Sequence, residues 1–414
     1  MQLRKHTYIL ACNGRHNGEV LQQIVDDFNA SQDEIEIKAE YQGTYDDTIT
    51  KLKAAMQSDS GLPDVCQMYD VGTKFMYDSG AVIPVEDKFE STGYDKSSVM
   101  DVISSYYTVE GKQYAMPFNV STPMLYYNKD VFEAAGLDPE TPPTTYDEVL
   151  EDAKKIVESG AAPVGYSQAI YGWFFEQQLA GLGVTYGNND NGRTEAVTAV
   201  DFDSNGGGLK VFDMWKKLYD SGYFEDYGTT TADTQTAFFS GQVGMIIEST
   251  AILKNAVDSS PFEVGTGYLP RIEQNDEGGV IIGGGSLWLT DTGNEANEDA
   301  AWKFIEYITT PDVQAKWSMG TGYFAINEKA YETDDMKAYL KENPNFETAI
   351  NQLKDSPVNC NTAGVLSGVQ TEARLTFNEI MPQVYDGKLT TQDAVDQLAA
   401  SVNKAIENYN ESIK

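Results

Sequence analysis

Histidine is nearly absent from this 414-residue chain: His6 and His16 are the only two. Imidazole catalysis and histidine-rich metal sites therefore have little material to work with. Cysteine is also scarce. Cys12, Cys66 and Cys360 form no Cys-x-x-Cys pair and no disulfide framework. Cys66 sits in an apolar run and reads as a small core residue. A bond to Cys12 is open if their strands pair, but nothing requires it. Basic charge is in short supply too: 29 Lys and Arg stand against 64 Asp and Glu, a formal net charge of −35. That excludes nucleic acid and anionic membrane as partners, since both need a basic footprint. It fits the acidic surface of a secreted monomer. No apolar run reaches the about 18 residues of a membrane span. Arg4-Lys5-His6 followed by Ile9-Leu10-Ala11-Cys12 imitates a lipoprotein signal, but its apolar part falls short of the roughly 7–15 residues a signal needs. Residues 8–12 are instead expected to be a first β-strand, with Met1 heading a mature sequence.

Enzyme signatures are missing as well. There is no Gly-x-Ser-x-Gly elbow, no Gly-x-x-x-x-Gly-Lys-Ser/Thr loop and no His-Glu-x-x-His pair. Gly283-Gly284-Gly285 lacks the following Lys and runs on as a strand, so it is not a phosphate loop. Residues 201–206 begin like a calcium loop, but Phe212 stands where a bidentate Glu is needed. The polar run 188–192 reads as a turn. Paired acids such as Asp46-Asp47 are expected by chance in so acidic a chain. No metal, no cofactor and no catalytic residue are assigned.

What is present is alternation. Strand-like runs at 8–12, 35–41 and 65–68 alternate with helical patterns at 19–30, 45–58 and 71–79. Val20, Leu21, Ile24, Val25 and Phe28 recur at helical spacing. Such βαβα order implies a mostly parallel sheet flanked by helices, with ligand residues collecting beyond the strand C-termini. Helices are also expected over 209–219, 297–308 and 391–413, and a glycine-rich strand over 278–288.

Residues 118–149 carry the most information. A polar knot, Asn119-Val120-Ser121-Thr122-Pro123, precedes the apolar run Met124-Leu125-Tyr126-Tyr127. A short helical piece stopped by Gly136 follows, then a proline-marked loop and a capped helix at Tyr146. Elsewhere, aromatic and small polar residues lie together on expected loops, a combination suited to sugar or polyol. Sugar hydroxyls meet Asp, Asn, Ser and Tyr, and sugar C–H faces meet rings. Candidate rings are Tyr45, Tyr69, Trp173, Trp288 and Tyr323.

The order of these motifs resembles the extracellular solute-binding proteins of ABC importers, carbohydrate type, and within them the glycerol-3-phosphate-binding component. The resemblance runs over nearly the whole chain. It is carried by 41–45 (YQGTY), 67–72 (QMYDVG), 118–128 (FNVSTPMLYYN), 282–288 (IGGGSLW) and Gly322-Tyr323-Phe324. It implies an α/β two-lobe periplasmic-binding-protein fold of type II, each lobe a sheet flanked by helices with a hinge near 119–123. The implied lobes are 1–118 with 268–320, and 119–267 with 321–414. It also implies a non-enzymatic, extracellular or periplasmic protein, lipid-anchored in its precursor, that takes a small carbohydrate or polyol into the interlobe cleft and delivers it to membrane permease subunits.

Carried over by motif, Tyr45, Asp70, Ser121, Ser249, Gly284 and Tyr323 fall at ligand-contact positions, with Gly285 and Trp173 beside them. Asp70 replaces the family's Glu. Two departures bear on the ligand. Leu366 stands where the family has a phosphate-binding Arg, and only Arg374, if turned inward, would compensate. The family's aromatic Trp-His after the first strand is replaced here, leaving Arg15 as either an anion contact or a surface charge. A neutral carbohydrate or polyol is favoured, with sn-glycerol 3-phosphate or a glycerophosphodiester the alternative. A secreted carbohydrate-active enzyme is the rival class.

Overall fold

The computed structural model describes residues 4–10, 15–57 and 62–414. Its main strands are β1 (Arg4–Leu10), β2 (Ile35–Tyr41), β3 (Val65–Tyr69), β4 (Val82–Ile83), β5 (Met116–Ser121), β6 (Pro123–Asn128), β7 (Val164–Ser167), β8 (Val243–Ser249), β9 (Val264–Gly267) and β10 (Gly283–Thr290). The helices that matter below are α1 (Arg15–Ser31), α2 (Tyr45–Met56), α3 (Gly172–Gly181), α4 (Gly207–Asp220), α5 (Pro311–Thr321), α6 (Gln370–Tyr385) and α7 (Thr391–Ser412).

The chain divides into two compact units, one of residues 1–121 and 282–342, the other of 122–281 and 343–414. In the first unit the strand order is β2-β1-β3-β10-β4, with β5 also paired to β10. β1 runs parallel to both β2 and β3, as the βα alternation of the first third implies. β10 runs antiparallel to β3, β4 and β5. It enters the sheet from the second unit rather than through a helical crossover, so no right-handed βαβ rule constrains its direction. β3 is flanked on both edges, and Val65, Cys66, Gln67 and Met68 are all buried, which is why its sequence reads as a continuous run instead of alternating. Burial pushes the Cys66 thiol up to about 12 and leaves it an inert core residue. Cys12, its expected neighbour, lies outside the described residues.

The second unit holds a four-stranded sheet, β9-β6-β8-β7. Its core gathers Leu125, Phe132, Ile156 and Tyr166 with the helix residues Phe175, Phe212, Trp215 and Phe377. The rings of Phe175, Phe212 and Trp215 all pack on Phe377, with centroids 5.2–5.5 Å apart for Phe175, Phe212 and Trp215. From Gly172 to Ala180 every residue of α3 is buried, and its polar Glu176, Gln177 and Gln178 are matched by Arg374, the Ile281 carbonyl and Tyr146 OH. The run 188–192 is a turn: Asn189, Asp190 and Asn191 take the left-handed conformation at φ 56, 53 and 58, which Asn and Asp tolerate best.

The last division between the units comes at 342/343, later than the family resemblance implied. α5 packs on α1, and the turn Glu328–Glu332 packs on α5, so this stretch and its Tyr323 belong with the first unit. The expected strand 278–288 begins only at Gly283. A Cβ on Gly278 would sit 1.9 Å from the Ala180 carbonyl oxygen, so this segment is pressed against the end of α3 instead of lying in a sheet.

Candidate functional site

At the C-terminal end of β3 the first unit collects six of the expected residues. Gly43, at φ 102, turns the chain into α2, and a Cβ there would lie 2.5 Å from the Asp47 carboxylate. Thr44 caps the helix: its hydroxyl accepts from Asp47 N–H, and Asp47 accepts from Thr44 N–H at 2.9 Å. That box places Tyr45 at the first helical position. Its ring stacks on Tyr69, the last residue of β3, with centroids 4.4 Å apart. The Tyr45 hydroxyl accepts from Asn119 Nδ2 at 2.8 Å, and Asn119 Oδ1 accepts from Gln67 Nε2. Asp70 follows Tyr69 directly, is buried, and accepts from Val71 N–H at 2.8 Å.

β10 carries Gly284 and Gly285 past the same point, Gly285 opposite both Tyr69 and Asn119. Gly284 has φ 101, and a Cβ there would sit 1.9 Å from the Asn119 carbonyl oxygen. The two glycines are thus demanded by close backbone approach around Asn119. Ser121 ends β5 opposite Gly283. Tyr323 joins this end because Phe324 N–H donates to the Val120 carbonyl at 2.9 Å. Its ring lies parallel to Trp317, which stacks in turn on Phe118.

The other expected residues lie in the second unit. Ser249 ends β8; its hydroxyl accepts from Ala251 N–H at 3.1 Å, and its carbonyl accepts from Tyr126 OH at 2.7 Å. Beside it, burial pushes the Glu248 carboxyl above its ordinary range, against hydrogen bonds from Gln235 and Ser249 N–H. Trp173 lies on α3, buried, and among the described residues its indole N–H has no partner. Arg374, on α6, is turned inward, but to an acid: Nε and one terminal nitrogen bind the two oxygens of Glu176, each at 2.7 Å. This pair takes one edge of the guanidinium.

Two further expectations change. Trp288 is fully buried in β10, its indole N–H donating to Ser286 Oγ at 3.0 Å, so it is a core ring and not a ligand platform. Arg15 opens α1, and its side chain lies outside the described residues. Asn119 and Glu176 were missed. Asn119 stood in the polar knot only as part of the expected hinge, and Glu176 is the lone charged residue of α3, the one signal that set it apart.

The family model for the bacterial extracellular solute-binding proteins matches residues 23–348. The chain belongs to this family. It is 30% identical over 404 residues to the sn-glycerol-3-phosphate-binding periplasmic protein UgpB of Escherichia coli, covering 96% of this chain and 91% of that protein. The Pectobacterium atrosepticum protein of the same name is likewise 30% identical, over 96% of this chain and 90% of its own. Among solved structures, a cyclic alpha-maltosyl-1,6-maltose binding protein from Arthrobacter globiformis superposes with a TM-score of 0.81 at 25% identity, covering 98% of this chain and all of that one. UgpB from Mycobacterium tuberculosis, solved with glycerophosphocholine, gives 0.82 at 20% identity over 99% of this chain and 100% of its own, a likeness of fold.

The protein is therefore an extracellular solute-binding protein of the ABC-importer class with the two-lobe periplasmic-binding-protein fold. Such proteins bind small molecules and interact with membrane permeases, and the homologues are binding proteins rather than enzymes. Among the described residues no helix is long and apolar enough to cross a membrane.

Proposed function

We propose that this chain captures a neutral carbohydrate or polyol, without turning it over, by closing through a hinge near 119–123, and hands it to its permease as a lipid-anchored monomer. The observation that carries the ligand class is the Tyr45–Tyr69 stack set beside Asp70 and Asn119. Flat rings suit sugar C–H faces, while a carboxylate and a carboxamide suit hydroxyls. Tyr45, Asp70, Ser121, Gly284, Gly285 and Tyr323 supply contacts from the first unit; Trp173 and Ser249 supply them from the second. Leu366, where the family's phosphate-binding Arg would stand, is buried and apolar, which supports a neutral ligand.

A second reading, sn-glycerol 3-phosphate or a glycerophosphodiester, is favoured by the 30% identity to proteins named for glycerol 3-phosphate. Thermal shift against glycerol, monosaccharides, maltose-type oligosaccharides, sn-glycerol 3-phosphate and glycerophosphocholine separates the two. A ligand at 100 times its dissociation constant adds about 2.7 kcal/mol of stability. A shift with the phosphates alone would overturn the neutral reading, and release of chromophore from aryl glycosides would overturn the non-enzymatic one.

A further inference from the structure

We infer that the second unit carries a further ligand site: a cavity walled by the segment 266–272 and rimmed by Arg271 and Asp355, which takes a small zwitterion with an apolar body, an apolar dipeptide. The ligand's carboxylate meets Arg271 and its ammonium meets Asp355. This site stands apart from the one proposed for saccharide.

The cavity holds about 570 Å³, within the roughly 300–1,000 Å³ of small-molecule sites. Its lining residues all belong to the second unit, and none of those proposed to contact saccharide is among them. The floor is fixed by two buried amides. Gln178 Nε2 donates to Tyr146 OH at 2.8 Å, and its Oε1 accepts from the Trp215 indole at 2.6 Å. Gln352, on the helix Asn345–Asp355, accepts from Leu269 N–H and donates to the Pro123 carbonyl at 2.7 Å. The wall is anchored at Arg271, whose N–H donates to the Thr144 carbonyl and whose carbonyl accepts from Tyr146 N–H, both at 2.9 Å. With the floor amides engaged, the polar chemistry left for a ligand lies at the exposed rim.

Arg193 binds the Ala363 and Gly364 carbonyls, and Arg374 binds Glu176. Arg271 has no such partner among the described residues, only the Gln274 carbonyl at 3.4 Å. Asp276 is near enough to feel its charge but accepts instead from Glu273 N–H at 2.8 Å. With 64 acidic residues in the chain, carboxylates are not scarce, so a guanidinium left without one stands out. Across the rim, Asp355 accepts from Tyr268 OH at 2.7 Å, and its second oxygen is unengaged among the described residues. Charge then selects the ligand. A simple anion would suit Arg271 but meet Asp355, a simple cation the reverse, and a neutral saccharide would leave both charges without an ionic partner. A zwitterion matches both, and the guanidinium fork fits its carboxylate. Pro142, Leu269, Pro270 and Ile272 with the Tyr268 ring line the space between, which favours apolar side chains. The cavity is larger than a single amino acid fills, which points to the dipeptide.

The full chain is titrated calorimetrically at low salt with L-leucyl-L-phenylalanine, with its N-acetyl form, which lacks the ammonium, and with its amide, which lacks the carboxylate. Saturable binding of the free dipeptide at one site is expected. Either blocked form should bind at least about tenfold more weakly, and so should the free dipeptide to Arg271→Gln or Asp355→Asn, because each loses a hydrogen-bonded charge contact. Arg271 and Asp355 are exposed, so both variants keep the fold. Asp70→Ala separates the two sites: it strikes the proposed saccharide contacts and should leave dipeptide affinity unchanged. Loss of dipeptide binding in D70A would place the dipeptide with the saccharide and overturn the inference. No saturable binding of the free dipeptide, equal binding of a blocked form, or unchanged affinity in R271Q or D355N overturns it equally.

Discussion

Tyr45 lies flat on Tyr69, ring centroids 4.4 Å apart and planes 8° from parallel, and its hydroxyl is tied to Asn119 Nδ2 at 2.8 Å. One side chain thus joins the start of α2, the end of β3 and the end of β5. The geometry of this end of the first unit's sheet depends on all three meeting there. Tyr45→Phe keeps the stack and deletes one hydrogen bond, leaving the Asn119 amide short of a partner. Urea unfolding is expected to show a loss of about 1–2 kcal/mol with an unchanged slope; no loss would mean that Asn119 is satisfied in some other way.

Asp70 tests the proposed ligand contacts at the same end of the sheet. Asp70→Ala removes the carboxylate proposed to accept from ligand hydroxyls, and affinity for the bound saccharide should fall at least about tenfold, since hydrogen bonds to charged groups are worth 1.5–3 kcal/mol. Calorimetric titration reads this directly, and unchanged affinity removes Asp70 from the site.

Gly284 is a conformational demand rather than a convenience. At φ 101, with the Asn119 carbonyl where a Cβ would go, Gly284→Ala must strain the backbone and push β5 from β10. A loss of about 3 kcal/mol is expected in chemical denaturation. Gly80→Ala is the control, because its φ of 63 also disfavours a side chain but nothing lies within 4 Å; it should cost clearly less.

Glu248 ties stability to pH. Burial raises its folded pKa, so the folded state holds a proton that the unfolded chain releases. Its contribution is most favourable below the ordinary carboxyl range, about 4.3, and is lost as pH rises through the raised folded value. Glu248→Gln keeps the shape without the ionisation. Its melting temperature should exceed that of the unsubstituted chain near neutral pH and lose that advantage near about pH 4. Parallel curves across this range would show that Glu248 does not titrate as its burial implies.

Much of the fold was legible. The helical spacing of Val20, Leu21, Ile24, Val25 and Phe28 matches the buried face of α1. The mostly apolar run of β3, broken only by Gln67, matches its place with neighbours on both edges. The candidate residues were legible as types near glycines and strand ends, and the structure gathers Tyr45, Asp70, Ser121, Gly284, Gly285 and Tyr323 at one end of one sheet. What could not be read was pairing across long separations. Trp288 looked like Tyr45, an aromatic near glycines, until β10 placed it in the middle of a sheet. Whether Arg374 turned inward, and to what, was unreadable until α6 met α3.

The sequence by itself determined the periodicities, the caps and the acidic surface, because these depend on neighbours within a few residues and on composition. It determined membership of the solute-binding family through the order of its motifs. Only the tertiary structure decided which unit holds Tyr323, which tryptophan is core, and that Arg374 spends its charge on Glu176, 198 residues away in the chain. The physical reason is range. Helix and strand signals are local, whereas whether a buried charge is free or matched depends on which distant side chain the packing brings within hydrogen-bonding reach.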